Sequence, residues 1–290
     1  MVAYTIESIL KEGASLLKDA GISSPYLEAQ ILLENISGYR KIDMIVYKDR
    51  PVDGKTAEKF FQLIDERRKG KPIQYITGHQ EFMGLDFCVH ENVLIPRRDT
   101  EVLVEKVLQL LKDKEKPVIA DICTGTGAIA VSLAYYISDS FVYATDISLY
   151  AVECCRENID RYGLKDRIKL LRGDLLEPLF EEGLEGKLDA LVSNPPYISN
   201  KDMESLPDNV RGFEPHLALY GGEDGMEYYR RILKDASRLL KKSGLLAFEI
   251  GWDQGAELTK LLEAEGVYRD IKVEKDLAGL DRIVYCFMEE

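Results

Sequence analysis

Beyond Lys116, short apolar runs alternate with helical stretches, and this alternation restricts the chain to a parallel sheet wrapped by helices on both faces. The runs Val118–Ile122, Phe141–Thr145, Ile168–Leu171, Leu188–Ser193 and Leu245–Glu249 are bounded by turn residues, as buried strands are. A helix is expected over Gln254–Glu265. Two further runs follow, Tyr268–Val273 and Arg282–Met288, separated only by the turn Asp276-Leu277-Ala278-Gly279. Strands joined without a helix pair antiparallel. The expected fold class is therefore α/β, a doubly wound and mostly parallel sheet with an antiparallel end.

The first of these strands leads into chemistry. Val118–Ile122 runs into Cys123-Thr124-Gly125-Thr126-Gly127 and then into the helical stretch Ala128–Tyr136. Gly125 and Gly127 allow positive φ and close approach of backbone to a ligand, and the helix start offers unpaired N–H groups. The next strand ends in Asp146, 19 positions after Gly127 and near the roughly 20 expected of a ribose-binding acid. A carboxylate there accepts hydrogen bonds from both ribose hydroxyls, so the ligand should carry adenosine. Asp is also a favoured N-cap, and Asp146 is equally readable as the cap of a helix starting near Leu149. A third run ends near Gly173-Asp174-Leu175, so three strands each deliver an acid to one rim. The glycine turn alone leaves a dinucleotide and S-adenosylmethionine both open, because Ala130 stands where the dinucleotide pattern tolerates it in place of a third glycine. Asp121 favours a ligand with a cationic amino group, since a carboxylate there would repel a pyrophosphate.

The strand Leu188–Ser193 ends in Asn194-Pro195-Pro196-Tyr197. Two consecutive prolines fix two φ angles and remove two backbone donors, leaving a rigid set of outward carbonyl acceptors. The Asn194 carboxamide adds an acceptor and a donor, and Tyr197 adds a flat face, so a planar group carrying an NH2 fits. Asn-Pro also starts ordinary turns, and the tetrapeptide taken alone allows that plainer reading. Together with Asp121, Gly125, Gly127, Asp146, Asp174 and Leu175, the turn resembles the S-adenosylmethionine-dependent methyltransferases that act on NH2 groups. The resemblance makes Asp121 and Cys123-Thr124-Gly125-Thr126-Gly127 the methionine-side loop, with Cys123 where that loop often has a glycine. It makes Asp146 with Ile147 the ribose contact, and Asp174 with Leu175 the adenine contact. Asn194 adjoins both cofactor and acceptor. It also implies a seven-stranded sheet with an antiparallel last strand.

At 290 residues the chain has room for two domains. Residues 1–70 carry eleven basic and eleven acidic side chains, so the whole net charge of −13 lies beyond them. A protein gripping duplex phosphate usually brings a basic face, so nucleic acid is disfavoured as the direct substrate. Arg67-Arg68-Lys69 reads as a solvated helix end. No run of about 18 uncharged apolar residues and no signal-peptide pattern at Met1–Glu7 is present; no membrane partner and a cytoplasmic location are expected. The five cysteines include no C-x-x-C, and His79, His90 and His216 lack ligand spacing, so no metal site is expected.

Apolar residues at helical spacing from Thr5 to Lys69 predict a small helical domain, 1–72. Gly70-Lys71-Pro72 ends it, residues 73–95 read as a β-hairpin linker, and the catalytic domain occupies 96–290, with Asp99 or Thr100 capping a helix that runs to Leu111. Glu214-Pro215 and Gly221-Gly222-Glu223-Asp224-Gly225 read as loop-shaping residues before a helix from Met226, and Tyr228 and Tyr229 as packing residues on that helix.

Nearly the whole chain resembles the release-factor glutamine methyltransferases, PrmC or HemK. The resemblance rests on Pro72-Ile73-Gln74-Tyr75-Ile76-Thr77-Gly78, Glu81-Phe82-Met83-Gly84-Leu85, Leu94-Ile95-Pro96-Arg97, Asn194-Pro195-Pro196-Tyr197, Phe213-Glu214-Pro215 and Leu219-Tyr220-Gly221-Gly222-Glu223-Asp224-Gly225. It implies methyl transfer from S-adenosylmethionine, leaving S-adenosylhomocysteine, to the side-chain amide nitrogen of the glutamine in the Gly-Gly-Gln loop of class I peptide-chain release factors. Asn194, Pro195, Pro196 and Tyr197 are then catalytic and substrate-binding, with Arg97 and Phe82 lining the substrate pocket, and the helical domain recognises the substrate. Two rivals remain at this stage. A nucleic-acid amine methyltransferase also uses such a turn beside a flipped base and would bind RNA or DNA with strong salt dependence. A binding module that lost activity is opposed by the intact glycine turn and Asn194.

Overall fold

The computed structural model describes residues 4–290; the first three residues of the expected helical domain lie outside the described ones. The chain divides into two compact units, one comprising residues 4–79 with Asp208–Phe213, the other Gln80–Pro207 with Glu214–Glu290.

The helical unit holds α1 (Ile6–Asp19), α2 (Pro25–Ser37), α3 (Lys41–Val46), α4 (Gly54–Arg68) and α5 (Ile73–Thr77), with a two-residue pairing of β1 (Tyr4–Thr5) and β2 (Pro51–Val52). Thr5 and Ser8 form a capping box at the start of α1, and Asp53 caps α4 through the N–H groups of Lys55 and Thr56. Ile9, Leu10 and Leu17 of α1 bury against Leu32 and Leu33 of α2 and Phe60, Leu63 and Ile64 of α4. Arg67 does not end in solvent: it pairs with Glu28 of α2 at 2.5 Å, both side chains largely buried, while Lys69 meets Asp65 as an exposed pair. The residue after Pro72 starts a short helix, and the hairpin is confined to β3 (His79–Phe82) and β4 (Leu85–Cys88), turning at Met83-Gly84, both with positive φ.

The second unit is built on seven strands in the order β10-β11-β9-β8-β5-β6-β7: β5 (Val118–Ile122), β6 (Phe141–Asp146), β7 (Ile168–Arg172), β8 (Leu188–Ser193), β9 (Leu240–Glu249), β10 (Tyr268–Lys275) and β11 (Asp281–Met288). β11 is antiparallel to both β9 and β10, and the pairs β9-β8, β8-β5, β5-β6 and β6-β7 are parallel, as the strand-helix alternation predicts. Around the sheet lie α6 (Arg98–Leu111), α7 (Ala128–Tyr136), α8 (Leu149–Arg161), α9 (Glu177–Glu181), α10 (Asn200–Met203), α12 (His216–Leu219), α13 (Glu227–Leu239) and α14 (Gly255–Glu265), while α11 (Asp208–Arg211) belongs to the helical unit.

Strand side chains alternate between faces, so each strand feeds two cores. Ile119, Val192, Ala247 and Ile283 join one core with α6, α7 and α8, whereas Ala120, Leu191, Phe248 and Val284 join the other with α9, α13 and α14. α13 shows how the pattern drives packing: Tyr229, Ile232, Leu233, Ala236 and Leu239 recur at helical spacing and are all buried. Each large apolar side chain buried in this way contributes about 1.5–3 kcal/mol relative to exposure. Strand order runs away from β5 in both directions, through β6 to β7 and through β8 to β9, which opens a crevice at the carboxyl ends of β5, β6 and β8.

Candidate active site

That crevice is an open cleft, with about 1070 Å³ of empty space when its solvent-filled mouth is counted. Its walls bring together Cys123, Gly125, Thr126, Asp146, Ile147, Asp174, Leu175, Asn194, Pro196 and Arg97 from the residues that the sequence singles out.

The glycine turn follows β5 directly. The Thr124 N–H donates to the Thr145 carbonyl at 3.0 Å, tying the turn to β6, and Gly127 at φ 81° begins α7. A Cβ on Gly127 would stand 2.6 Å from Cys155 Sγ, so the residue must be glycine for space as well as for φ. Cys123 adopts φ 61°, a left-handed conformation that glycine takes more easily. Asp121 stands behind the turn and is fully buried. Its Oδ2 accepts from Thr124 Oγ1 at 2.6 Å and from the Ala130 N–H at 3.1 Å, and its Oδ1 has no hydrogen-bond partner among the described residues. Burial pushes its pKa up to about 7 against those two hydrogen bonds. Asp121 therefore shapes the turn from beneath, and Thr124 and Gly127 likewise support the cleft without lining it.

Asp146 accepts the Gly125 N–H at 2.9 Å on one oxygen and the Ser148 N–H at 2.9 Å on the other. The cap of α8 is Ser148, whose hydroxyl accepts from the Ala151 N–H, so the cap reading of Asp146 is corrected. Each carboxylate oxygen keeps a second lone pair, and Asp146 lines the cleft, so its acceptors remain available to a diol. Burial raises its pKa. Asp174 pairs with Arg231 of α13, and Arg231 lies 5.6 Å from the Tyr228 ring centroid. Tyr228 and Arg231 both line the cleft. The two tyrosines of α13 thus part: Tyr229 packs in the core and donates its hydroxyl to the Glu249 carbonyl at 2.8 Å, while Tyr228 turns to the site.

The Asn194-Pro195-Pro196-Tyr197 turn is held from behind. Gln254 Nε2 donates to the carbonyls of Tyr197 at 2.9 Å and Gly225 at 3.2 Å, and the Ile198 N–H donates to the Leu219 carbonyl at 2.9 Å. A Cβ on Gly225 would lie 2.4 Å from the Tyr197 oxygen, and one on Gly221 would lie 2.6 Å from Tyr197 Cα. The glycine-rich segment is thus the wall against which the turn is pressed. Among the described residues no backbone N–H reaches the Pro195 carbonyl. Asn194 Nδ2 donates to Thr100 Oγ1 at 3.2 Å. Tyr197 does not line the cleft: its ring packs with the core under β9, its hydroxyl donates to Glu249 Oε1 at 3.4 Å, and burial raises its pKa.

Arg97 lines the cleft and pairs with Glu214, a carboxylate only 1% exposed. Phe82 does not. It is buried in the core edge-on to Phe87, at 5.9 Å between ring centroids, because the hairpin turns its apolar face inward. The helix that Asp99 or Thr100 is expected to cap begins at Arg98 with Arg97 as its N-cap, which leaves the Thr100 hydroxyl to accept from Asn194. Thr100, Tyr228 and Arg231 are among the cleft-lining residues that sequence reasoning did not assign to the site. Helical spacing from Arg97, 97 to 100, and from Tyr228, 228 to 231, would have placed them beside residues already in view.

Residues 8–78 match the model of the PrmC N-terminal domain, and residues 98–208 match the methyltransferase small domain. The release factor glutamine methyltransferase of Moorella thermoacetica is 47% identical over 286 residues, covering 99% of both chains. That of Clostridium botulinum is 39% identical over 279 residues, covering 96% of this chain and 98% of its own. Among solved structures, human methyltransferase 10 domain containing protein superposes with a TM-score of 0.52 at 18% identity, covering 71% of this chain and 90% of that one. A methyltransferase from Pyrococcus furiosus gives 0.50 at 21%, covering 72% and 91%. These two carry the fold alone.

Proposed function

The chain belongs to the release factor glutamine methyltransferase family, and on that premise we propose that it methylates the side-chain amide nitrogen of the Gly-Gly-Gln glutamine of class I peptide-chain release factors, using S-adenosylmethionine. The observation that carries this reading is the juxtaposition, in one cleft, of a diol-accepting carboxylate, Asp146, and the Asn194 carboxamide at the head of the Asn194-Pro195-Pro196-Tyr197 turn, with Pro196 beside it on the wall.

The residues present fit that cofactor. Asp146 offers free lone pairs at the cleft wall, the turn from Cys123 to Thr126 lets backbone approach, and Asp174, Leu175 and Tyr228 bound the far end with polar and flat surfaces. Asp121 supports the turn that contacts the methionine part. When bound, S-adenosylmethionine supplies an electrophilic methyl group on a sulfonium. The protein's task lies with the other reactant. An amide nitrogen is a weak nucleophile, and the turn carries no His or Lys to act as base. Asn194 Oδ1 and the Pro195 carbonyl accept the two amide hydrogens, fix the nitrogen in place and oppose the positive charge that grows on it. Arg97, held by Glu214, borders the acceptor side. The helical unit is assigned recognition of the release factor.

A competition separates this from a nucleic-acid amine methyltransferase. With labelled S-adenosylmethionine, a purified class I release factor should take up label while transfer RNA and duplex DNA offered at equal concentration stay unlabelled. Label on the nucleic acid alone would overturn the assignment.

A further inference from the structure

We propose that Asn158 is a positioning residue for the cofactor, a buried side chain that fixes the glycine turn and the segment after β4 to each other as two parts of one cleft wall. The inference rests on the functional reading above and deepens it. Asn158 lies in the second half of α8 and is fully buried, although Asn is a poor helix former and a buried carboxamide is costly unless its polar atoms are met. Here they are met by main chain. Asn158 Oδ1 accepts the Cys88 N–H at 2.7 Å, and its Nδ2 donates to the Cys88 carbonyl at 3.0 Å and to the Thr126 carbonyl at 2.9 Å. Both donors and the acceptor are thus in use.

Toward Cys88 the carboxamide behaves as a neighbouring strand would, taking both main-chain groups of the residue where β4 ends. Toward Thr126, which is only 2% exposed, it supplies a donor to a carbonyl buried with it. The two partners lead to different parts of the site. Thr126 lines the cleft within the glycine turn, whereas Cys88 does not line it but begins the stretch that does, through Asn92, Val93, Leu94, Pro96 and Arg97. Nearer the start of α8, Ala151 and Cys154 form a small core with Val93, so one helix seats that stretch at two points. Loss of the Nδ2 donors would release Thr126 and Cys88 together, and two walls free to shift separately no longer offer the ligand one fitted surface. Tyr162, just past the end of α8, provides the contrast. Its hydroxyl accepts the Asp86 N–H at 2.6 Å and donates to the Asp86 carbonyl at 2.9 Å, which holds the same strand with no bond to the turn among the described residues.

The test is calorimetric titration with S-adenosylhomocysteine, beside steady-state methylation of a release factor. Asn158→Asp keeps the shape but has at most one proton to give, so at least one of the two carbonyls meets an oxygen. Its Kd for S-adenosylhomocysteine should rise by about tenfold or more. The KM for S-adenosylmethionine should rise alike, with kcat at saturating cofactor within about threefold of the parent chain. Tyr162→Phe loosens the strand without touching the turn and should bind within about threefold of the parent. Parent-like affinity in Asn158→Asp, a loss confined to kcat, or an equal loss of affinity in Tyr162→Phe would each overturn the proposal. If Asn158→Asp does not fold, residue-resolved amide hydrogen exchange on the parent chain decides. S-adenosylhomocysteine should slow exchange at Cys88 as well as at Thr126, although Cys88 is not on the cleft wall; a Cys88 amide indifferent to the ligand overturns the proposal. A parent chain that binds S-adenosylhomocysteine and methylates the release factor while Asn158→Asp matches it sinks the proposal alone. A parent chain that binds no S-adenosylhomocysteine overturns the functional reading, and the proposal with it.

Discussion

Two carboxylates, Asp121 and Glu249, are buried at a cost in stability when they ionise. Both are fully buried, and burial pushes both up to about 7. A carboxyl whose pKa is raised on folding contributes most below its unfolded value, near 4, and that contribution is lost as pH rises through the folded value. Holding Glu249 ionised above neutrality therefore costs about 3 kcal/mol at most. Glu249→Gln removes that cost: in urea unfolding it should gain stability over the parent chain at about pH 8 and little at about pH 5. An equal difference at both pH values would show that Glu249 does not titrate in this range. Asn194 was readable from the sequence because its chemistry is local to four residues. Thr100 was not, since its contact is with a partner 94 positions away and the helix cap sits at Arg97, two or three residues before the expected Asp99 or Thr100.

Among the elements, the acceptor turn depends on a wall it does not contain. The carbonyl of Tyr197 receives Gln254 from the start of α14, and Gly225 leaves no room there for a methyl group. Gly225→Ala should push Tyr197 and Pro196 outward and lower methyl transfer by about tenfold or more, while S-adenosylmethionine binding in a titration stays unchanged, because the cofactor end of the cleft is formed by β5 and β6. Unchanged transfer would mean that the turn adapts without consequence. Strands and helices beyond Lys116 were legible because period-two and period-3.6 patterns survive in buried elements. The glycine-rich segment was legible only as a loop, since its role is to be thin where another chain segment passes. Phe82 failed for the converse reason. A hairpin has two faces, and alternation alone does not say which of them meets the core.

Over the whole molecule, acidity and architecture divide the work. Residues 1–70 carry balanced charge, and the excess of −13 lies beyond them, in the part of the chain that holds the cleft. Such a surface discourages nucleic-acid phosphate and agrees with a protein acceptor. Among the described residues no helix is long and apolar enough to cross a membrane. Gly70-Lys71-Pro72 suggested an end of the helical domain at 72, whereas the chain divides after His79 and Asp208–Phe213 joins the helical unit, which was not legible because that segment is distant in sequence from everything it packs on. The most direct measurement is peptide mass spectrometry of a class I release factor after incubation with this protein and S-adenosylmethionine, beside the Asn194→Ala variant. One added methyl on the Gly-Gly-Gln glutamine, reduced by about a hundredfold in the variant, is the predicted result. An unmodified glutamine with the parent chain, or equal modification by the variant, would contradict it.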